Sequence, residues 1–458
     1  MPSVSEEQEN GAGAWLRARL QRHMAELVKL ATPAMASRLG LLAMGFVDTV
    51  LVGHYATAEL ASLSLANRSI ILLLLVIAIG LLMGVIVTTA AAFGRGDTEE
   101  CGRVWRRTMP YAALIGAALF AATLPAHLWM RLLAHDPAIG ARAATLVLIL
   151  GLGLPAHVLF YCSTAFLEGI RRPYVPMLLL VIANGINVAL DYGLIYGHVG
   201  LPELGAAGSA WATTAVRWAM LAMIVAYIWY APSMHPFAVR RPNRESWRSW
   251  HHQRSIGYAS AVSIAAEVSA FAGLAVIAEK LGARPLAGQE IVMNVLTVPF
   301  MFAVGIGSAT AVRVGIGHGR GDRRDSALAG WTGLGATIVL LGGVAALIAI
   351  FPKQIFALHS DDPALGAITV PAIAFIAYVT VFDGGQAVIS MGLRGLGETW
   401  WPTAIQALAY IGLMLPLSWY LAMDLDRGLI GLLEATLVAS IFSVVAQSLR
   451  FRYLTAQR

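Results

Sequence analysis

The chain has 458 residues, 58% of them hydrophobic and only 13% charged, with a mean hydropathy of +0.69. A soluble domain is nearer half apolar and a quarter charged, so this composition excludes an ordinary soluble protein and indicates a polytopic membrane chain. The net charge of +6 and pI of about 9.4 do not mark a nucleic-acid binder, because the arginines fall in short clusters between apolar runs, not in a basic stripe interleaved with aromatics.

Residues 1–29 open polar and acidic (MPSVSEEQENGAGAW), which is not how a signal peptide begins. The following WLRARLQRHMAELVKL alternates basic and apolar residues at helical spacing. Such a segment suits either a membrane surface or a helical lead-in to the first span. A span needs about 20 apolar residues to cross about 30 Å of hydrocarbon. Twelve stretches meet that length: 30–53, 61–92, 108–130, 143–168, 174–197, 206–230, 258–279, 287–314, 328–351, 366–392, 403–423 and 428–448. A polar linker, 231–257, divides six from six, and residues 449–458 form a tail. With the N-terminus inside, 23 Lys and Arg residues fall in inner segments and 6 in outer ones. This asymmetry predicts cytoplasmic termini.

The tetrapeptide GRGD occurs at Gly94–Asp97 and again at Gly319–Asp322, 225 residues later. DPA recurs from Asp136 to Asp362, and LEGIRRPYVP from Leu167 aligns with LRGLGETWWP from Leu393, both at an offset of 226. A common register over separate motifs indicates a duplicated six-span unit. Six spans is an even number, so the copies are parallel repeats related by a pseudo-twofold axis along the membrane normal. The expected fold is an all-α membrane protein of twelve transmembrane helices in two six-helix lobes, 30–230 and 258–448. Two similar bundles that rock around a central cavity suit a transporter.

Charges inside spans are costly and become functional candidates. Asp48 lies five residues from the outer end of the first span and Asp191 six from that of the fifth, so both sit roughly 8–9 Å deep. Asn184, Asn187 and Asp191 are spaced by three and four and share a helix face. Two carboxylates with amide oxygens suit Na⁺, held by Asp48, Asn187 and Asp191, or a shared proton. A purely structural network between spans is the alternative. Glu267 and Asp383, near the middle of spans 7 and 10, form a second acidic set, either as a site or as neutral carboxyls. Arg38 is expected to snorkel to the inner surface. Arg68 and Arg217 fit ion pairs or helix interfaces, and Glu434 an interfacial position.

Pro155, Pro299, Pro371 and Pro416 fall inside spans, where they bend helices or simply pack. Met293, Phe300, Met301 and Phe302 surround Pro299 and suit an apolar substrate cavity, or equally lipid and neighbouring helices. Cys101 lies in a charged loop and Cys162 in an apolar run, which argues against a disulfide, and no zinc-type spacing occurs. His251 and His252, in the linker, are expected to be solvated. There is no Walker A pattern, so ATP-driven pumping is not expected, and no zincin, nucleophile-elbow or kinase pattern either.

LVKLATPAMASRLGLLAMGFVDTVLVGHYATAELASLSLA resembles the first span and loop of the multidrug and toxic compound extrusion (MATE) transporters. PFMFAVGIGSATAVRVGIGHGRGD is similar to their eighth span and LRGLGETWWP to the loop after their tenth. The resemblance covers nearly the whole chain, and the acidic pattern is nearest the NorM-type bacterial branch. It implies a cation-coupling aspartate at Asp48, network partners at Asn187 and Asp191, and a C-lobe acidic pair at Glu267 and Asp383. It further implies a monomer in the bacterial inner membrane that exports cationic, lipophilic drugs or dyes in exchange for Na⁺ or H⁺, with no cofactor and no enzymatic step. The alternatives are a lipid-linked precursor flippase of the same superfamily and a polytopic membrane enzyme. The second would need a cluster of catalytic residues at one membrane face, which the sequence lacks.

Overall fold

In a computed structural model of the chain, residues 4–67, 70–134, 136–198, 200–242 and 245–456 are described, with side chains from Arg19 onward and excluding 70–73. Arg68 lies outside the described residues. Every regular element among them is helical: α1 (Val4–Tyr55), α2 (Thr57–Asn67), α3 (Ile70–Leu81), α4 (Met83–Gly94), α5 (Thr98–Thr123), α6 (Ala126–Leu133), α7 (Pro137–Leu152), α8 (Leu154–Gly169), α9 (Tyr174–Tyr196) and α10 (Ala206–Tyr230). After a 3₁₀ turn at Pro232–Phe237 come α11 (His251–Leu281), α12 (Ala283–Gly319), α13 (Arg323–Ile350), α14 (Pro352–Ala357), α15 (Pro363–Gly395), α16 (Trp400–Ala407), α17 (Leu415–Trp419) and α18 (Gly428–Ala456). Among the described residues, ten helices are long and apolar enough to cross a membrane, or up to 12 if each of two bent pairs counts as one span.

The bent pairs are α5–α6, turning 57°, and α7–α8, turning 41°. Pro155 follows the second bend and Pro125 sits in the first, where each ring removes a backbone donor. The bend at Pro125 is one that the sequence pattern does not announce. By contrast, α12 and α15 run through Pro299 and Pro371 without interruption. Pro416 lies in α17, between π-helical turns at Leu408–Met414 and Tyr420–Asp424. The second span starts later than expected. Thr57–Asn67 carries Glu59, two serines and Asn67 and forms the separate helix α2, whereas the unbroken apolar run IILLLLVIAIGL opens α3.

Both GRGD copies fold alike. Gly96 and Gly321 take φ of 77° and 73°, which L side chains rarely adopt. Asp97 N–H donates to Ala92 O at 3.1 Å, and Asp322 N–H to Gly317 O at 3.0 Å, closing Schellman-type helix ends. The aspartates then cap the next helix: Asp97 accepts from Glu100 N–H at 2.9 Å and Asp322 from Asp325 N–H at 2.8 Å. The DPA pair repeats this economy, Asp136 and Asp362 capping α7 and α15 with proline at the first helical position.

Two compact units emerge, residues 36–268 and residues 1–35 with 269–458. Their boundaries fall inside α1 and α11, not in the linker. In the first unit the start of α11 is held against α3 and α4 by close backbone approach. A side chain on Gly84 would collide with Gln253 O, and one on Gly257 with Leu81 O. The linker is clamped to α5 as well. The buried Arg107 contacts Glu245 at 2.9 Å and Glu100 at 3.1 Å and donates to Gln253 Oε1 at 2.8 Å. In the second unit, a side chain on Gly305 of α12 would meet the Met35 backbone at 2.8 Å. Arg19 pairs with Asp322 at 3.1 Å, and the buried His23 lies 3.1 Å from Asp325. Cys101 and Cys162 are buried and unbridged, and His251 and His252 are exposed.

Candidate functional site

In the unit formed by residues 36–268, α1 and α9 are tied at two levels. Tyr196 Oη donates to Leu51 O at 2.8 Å, and Asn184 Nδ2 donates to Gly40 O at 3.2 Å. Between these ties Asp48 of α1 meets Asn187 and Asp191 of α9. Asp48 is 8% exposed, and the other two are fully buried. The third wall is α10, whose Thr213 Oγ1 donates to Asp48 Oδ2 at 2.9 Å. Ser209, one turn earlier on α10, neighbours Asp191.

Six buried polar atoms in this cluster lack a hydrogen bond of regular geometry: Asp48 Oδ1, both amide atoms of Asn187, both oxygens of Asp191 and Ser209 Oγ. An unsatisfied buried group costs about 1–3 kcal/mol, and more when charged. A group of carboxylate and amide oxygens left in this condition fits a proton or a small hard cation. Among the described residues, no three His, Cys, Asp or Glu side chains converge as a transition-metal site would require. Asn184 is set apart from the other three. It is partly exposed, and its amide donates to backbone carbonyls, at 3.2 Å to Gly40 and 2.9 Å to Leu180. It therefore fastens α9 to α1 beside the site.

Two arginines gain roles here. Arg217, on the turn of α10 after Thr213, donates to Leu150 O at 3.2 Å and feels the charge of Asp48. Arg38 does not snorkel as expected. It lies 3.5 Å from Glu168, which is 4% exposed, and 5.7 Å from the centre of the Tyr161 ring. A buried carboxylate from α8 offers the guanidinium a better partner than the bilayer surface does.

In the other unit, Asp383 of α15 is 1% exposed and accepts from Tyr410 Oη at 2.6 Å and from Ser440 Oγ at 3.4 Å. Gln386 continues the network: its Oε1 accepts from Gln406 Nε2 at 3.0 Å, and Gln406 Oε1 accepts from Arg394 at 3.3 Å. Tyr410 sits on the π turn, a distortion frequent at functional positions. Glu267, half-buried on α11, belongs to the unit of residues 36–268 and Asp383 to the other. Met293 packs against the core of the Asp383 unit, and Phe300, Met301 and Phe302 are partly buried on α12. Glu434 receives Arg427 at 2.6 Å near the start of α18.

Comparison with known proteins adds an independent line. The sequence profile of the MatE family matches residues 33–193 and again 259–420, two segments that begin 226 residues apart. The chain is 33% identical to the probable multidrug resistance protein NorM of Caulobacter vibrioides, covering 96% of this chain and 93% of that one. It is 30% identical to the multidrug resistance protein PmpM of Pseudomonas aeruginosa, over 88% and 85%. Among solved structures, the eukaryotic MATE transporter AtDTX14 superposes with a TM-score of 0.86 over 96% and 98% of the two chains at 17% identity. An outward-facing MATE transporter of the MOP superfamily superposes with a TM-score of 0.85 over 95% and 96% at 18% identity. The helical architecture, the doubled profile match and the near full-length similarity place this chain in the MatE family of multidrug and toxic compound extrusion transporters.

Proposed function

We propose that the protein is a secondary antiporter of the bacterial inner membrane, working as a monomer with both termini cytoplasmic. It exports cationic, lipophilic compounds in exchange for Na⁺ or H⁺. Multidrug resistance proteins of near full-length similarity support the export of small-molecule drugs. The observation that carries the coupling is the set of buried oxygens of Asp48, Asn187 and Asp191 that lack a hydrogen bond of regular geometry.

The chemistry follows from charge. Two neighbouring carboxylates in a low-dielectric bundle repel strongly, and one proton or one Na⁺ removes most of that cost. Thr213 and the Asn187 amide complete the oxygen set, and Arg217 offsets residual charge. The loaded site then favours close packing of α1, α9 and α10, and the unloaded site favours a looser arrangement. A ligand that binds one arrangement better shifts the population towards it. Drug binding to the other arrangement supplies the exchange. The Asp383–Tyr410–Ser440 network forms the second polar station, and Glu267 on α11 is a separate acidic candidate in the other unit. Met293, Phe300, Met301 and Phe302 offer apolar and polarisable surface for the exported compound.

The test is dye efflux from proteoliposomes under an imposed Na⁺ gradient or an imposed pH gradient, applied separately. One of the two drives efflux in the wild type, and Asp48→Asn abolishes that response while leaving the protein folded. Full gradient-driven efflux by well-folded Asp48→Asn protein would refute the assignment.

A further inference from the structure

Two depressions lie on neighbouring turns of the α13–α18 face. One is an apolar groove of about 230 Å³ lined by Trp331, Val444, Val445, Ser448, Leu449 and Arg452. The other, about 800 Å³, is walled by Arg320, Asp322, Arg323, Arg324 and Thr455. Arg452 and Thr455 are three residues apart on α18, so roughly 5 Å of helix rise separates the two linings. Arg324 and Trp331 are seven residues apart on α13 and therefore share a face. The two depressions thus lie on successive turns of the same two helices, one basic and the other largely apolar.

The charge balance is one-sided. Arg320, Arg323, Arg324 and Arg452 are all exposed. Asp322 is the one acidic lining residue, and its charge is engaged: Oδ2 faces Arg19 at 3.1 Å, and Oδ1 accepts from Asp325 N–H at 2.8 Å. Beneath this basic mouth, Trp331 is 38% exposed, Val445 50% and Leu449 62%, so the groove presents apolar surface on two membrane-length helices. Guanidinium groups bind phosphate by paired hydrogen bonds. Basic pockets between transmembrane helices at one membrane face are suited to anionic headgroups.

We propose that this face binds an anionic phospholipid. Its phosphate is held by Arg320, Arg323, Arg324 and Arg452, and one acyl chain lies over Trp331, Val445 and Leu449. Ser448 also lines the groove, whereas the Thr455 hydroxyl donates to Phe451 O at 2.8 Å and only borders the basic depression. A soluble acidic partner would satisfy the arginines but would leave the groove without a chain to fill it. The proposal rests on α13 and α18 crossing a bilayer and requires no transport.

The test uses the full chain in neutral detergent, with melting temperature followed during titration of phosphatidylglycerol, phosphatidylcholine or glycerol 3-phosphate. Phosphatidylglycerol should stabilise saturably, with the other two at least about tenfold weaker. Arg320→Gln, Arg323→Gln and Arg324→Gln should each weaken phosphatidylglycerol about fivefold. Val445→Trp, which fills the groove and spares the arginines, should weaken it too. Arg284→Gln, at an exposed position outside the face, should not. Equal affinity for the two phospholipids, or unchanged affinity in all three single-arginine variants, would overturn the headgroup assignment. Glycerol 3-phosphate binding as tightly as phosphatidylglycerol, or a Val445→Trp variant with wild-type affinity, would overturn the lipid. No gradient enters the measurement, so a failure of the antiport reading leaves these outcomes readable.

Discussion

Asp48, Asn187 and Asp191 stand out in sequence because a carboxylate or amide inside an apolar run has few explanations. Thr213 gives no such signal. Hydroxyls in membrane helices commonly bond the carbonyl four residues back, as Thr310, Thr337, Thr380 and Thr436 do here. Thr213 differs only in its neighbour, and a neighbour on another helix is not written in the local pattern. Removing its hydroxyl as Thr213→Val forfeits a hydrogen bond to a charged group, worth about 1.5–3 kcal/mol. The apparent affinity for the coupling ion should therefore fall by about tenfold or more, read as the Na⁺ or proton concentration that half-saturates efflux. The same reasoning applies to Tyr410, whose hydroxyl sits 2.6 Å from Asp383. Tyr410→Phe should lower unfolding stability by about 1.5–3 kcal/mol, and much less once Asp383 is already Asn. Additive losses in that double-mutant cycle would separate the two residues.

At the scale of elements, the spans are legible because length and hydropathy are directly imposed by the bilayer. Their ends and bends are less so. The 57° turn at Pro125 and the π turns on either side of Pro416 depend on how freed carbonyls find new partners, which hydropathy does not encode. GRGD is clear at the level of the turn, yet its aspartate proves to be the structural residue as much as its glycine. Around Gly96 and Gly321 the space that a Cβ would occupy has no neighbour within 4 Å, so substitution there acts through the backbone alone. Gly96→Ala or Gly321→Ala should cost about 1–2 kcal/mol for the left-handed conformation. Asp97→Ala or Asp322→Ala should cost about 1 kcal/mol for the lost cap. Thermal unfolding in detergent reads both, and a neutral glycine variant would contradict the backbone argument.

For the whole molecule, the duplication is visible from three short motifs, and the doubled family match recovers the same 226-residue register. The compact units cannot be anticipated in the same way. They are decided by where a glycine lets two backbones approach, as at Gly84 and Gly257, and by where a buried charge finds company. Glu245 is the clearest case, since it contacts both Arg107 and Arg103 from within the linker. Glu245→Ala should destabilise the fold by about 1.5–3 kcal/mol and make the linker more susceptible to limited proteolysis. Unchanged cleavage would mean that the linker is held by its aromatic residues instead. The helix ends after α8 and α15 extend the comparison between repeats. Arg171 adopts φ of 64° where Gly397, 226 residues later, adopts 80°. Each closes the same turn, with Arg172 N–H on Leu167 O at 2.8 Å and Glu398 N–H on Leu393 O at 3.1 Å. One copy has the residue the geometry prefers and the other does not. The molecule thus carries its own control: each half is a reference sequence for the other, and a designer can read from one repeat which departures in its twin the fold has already learned to tolerate.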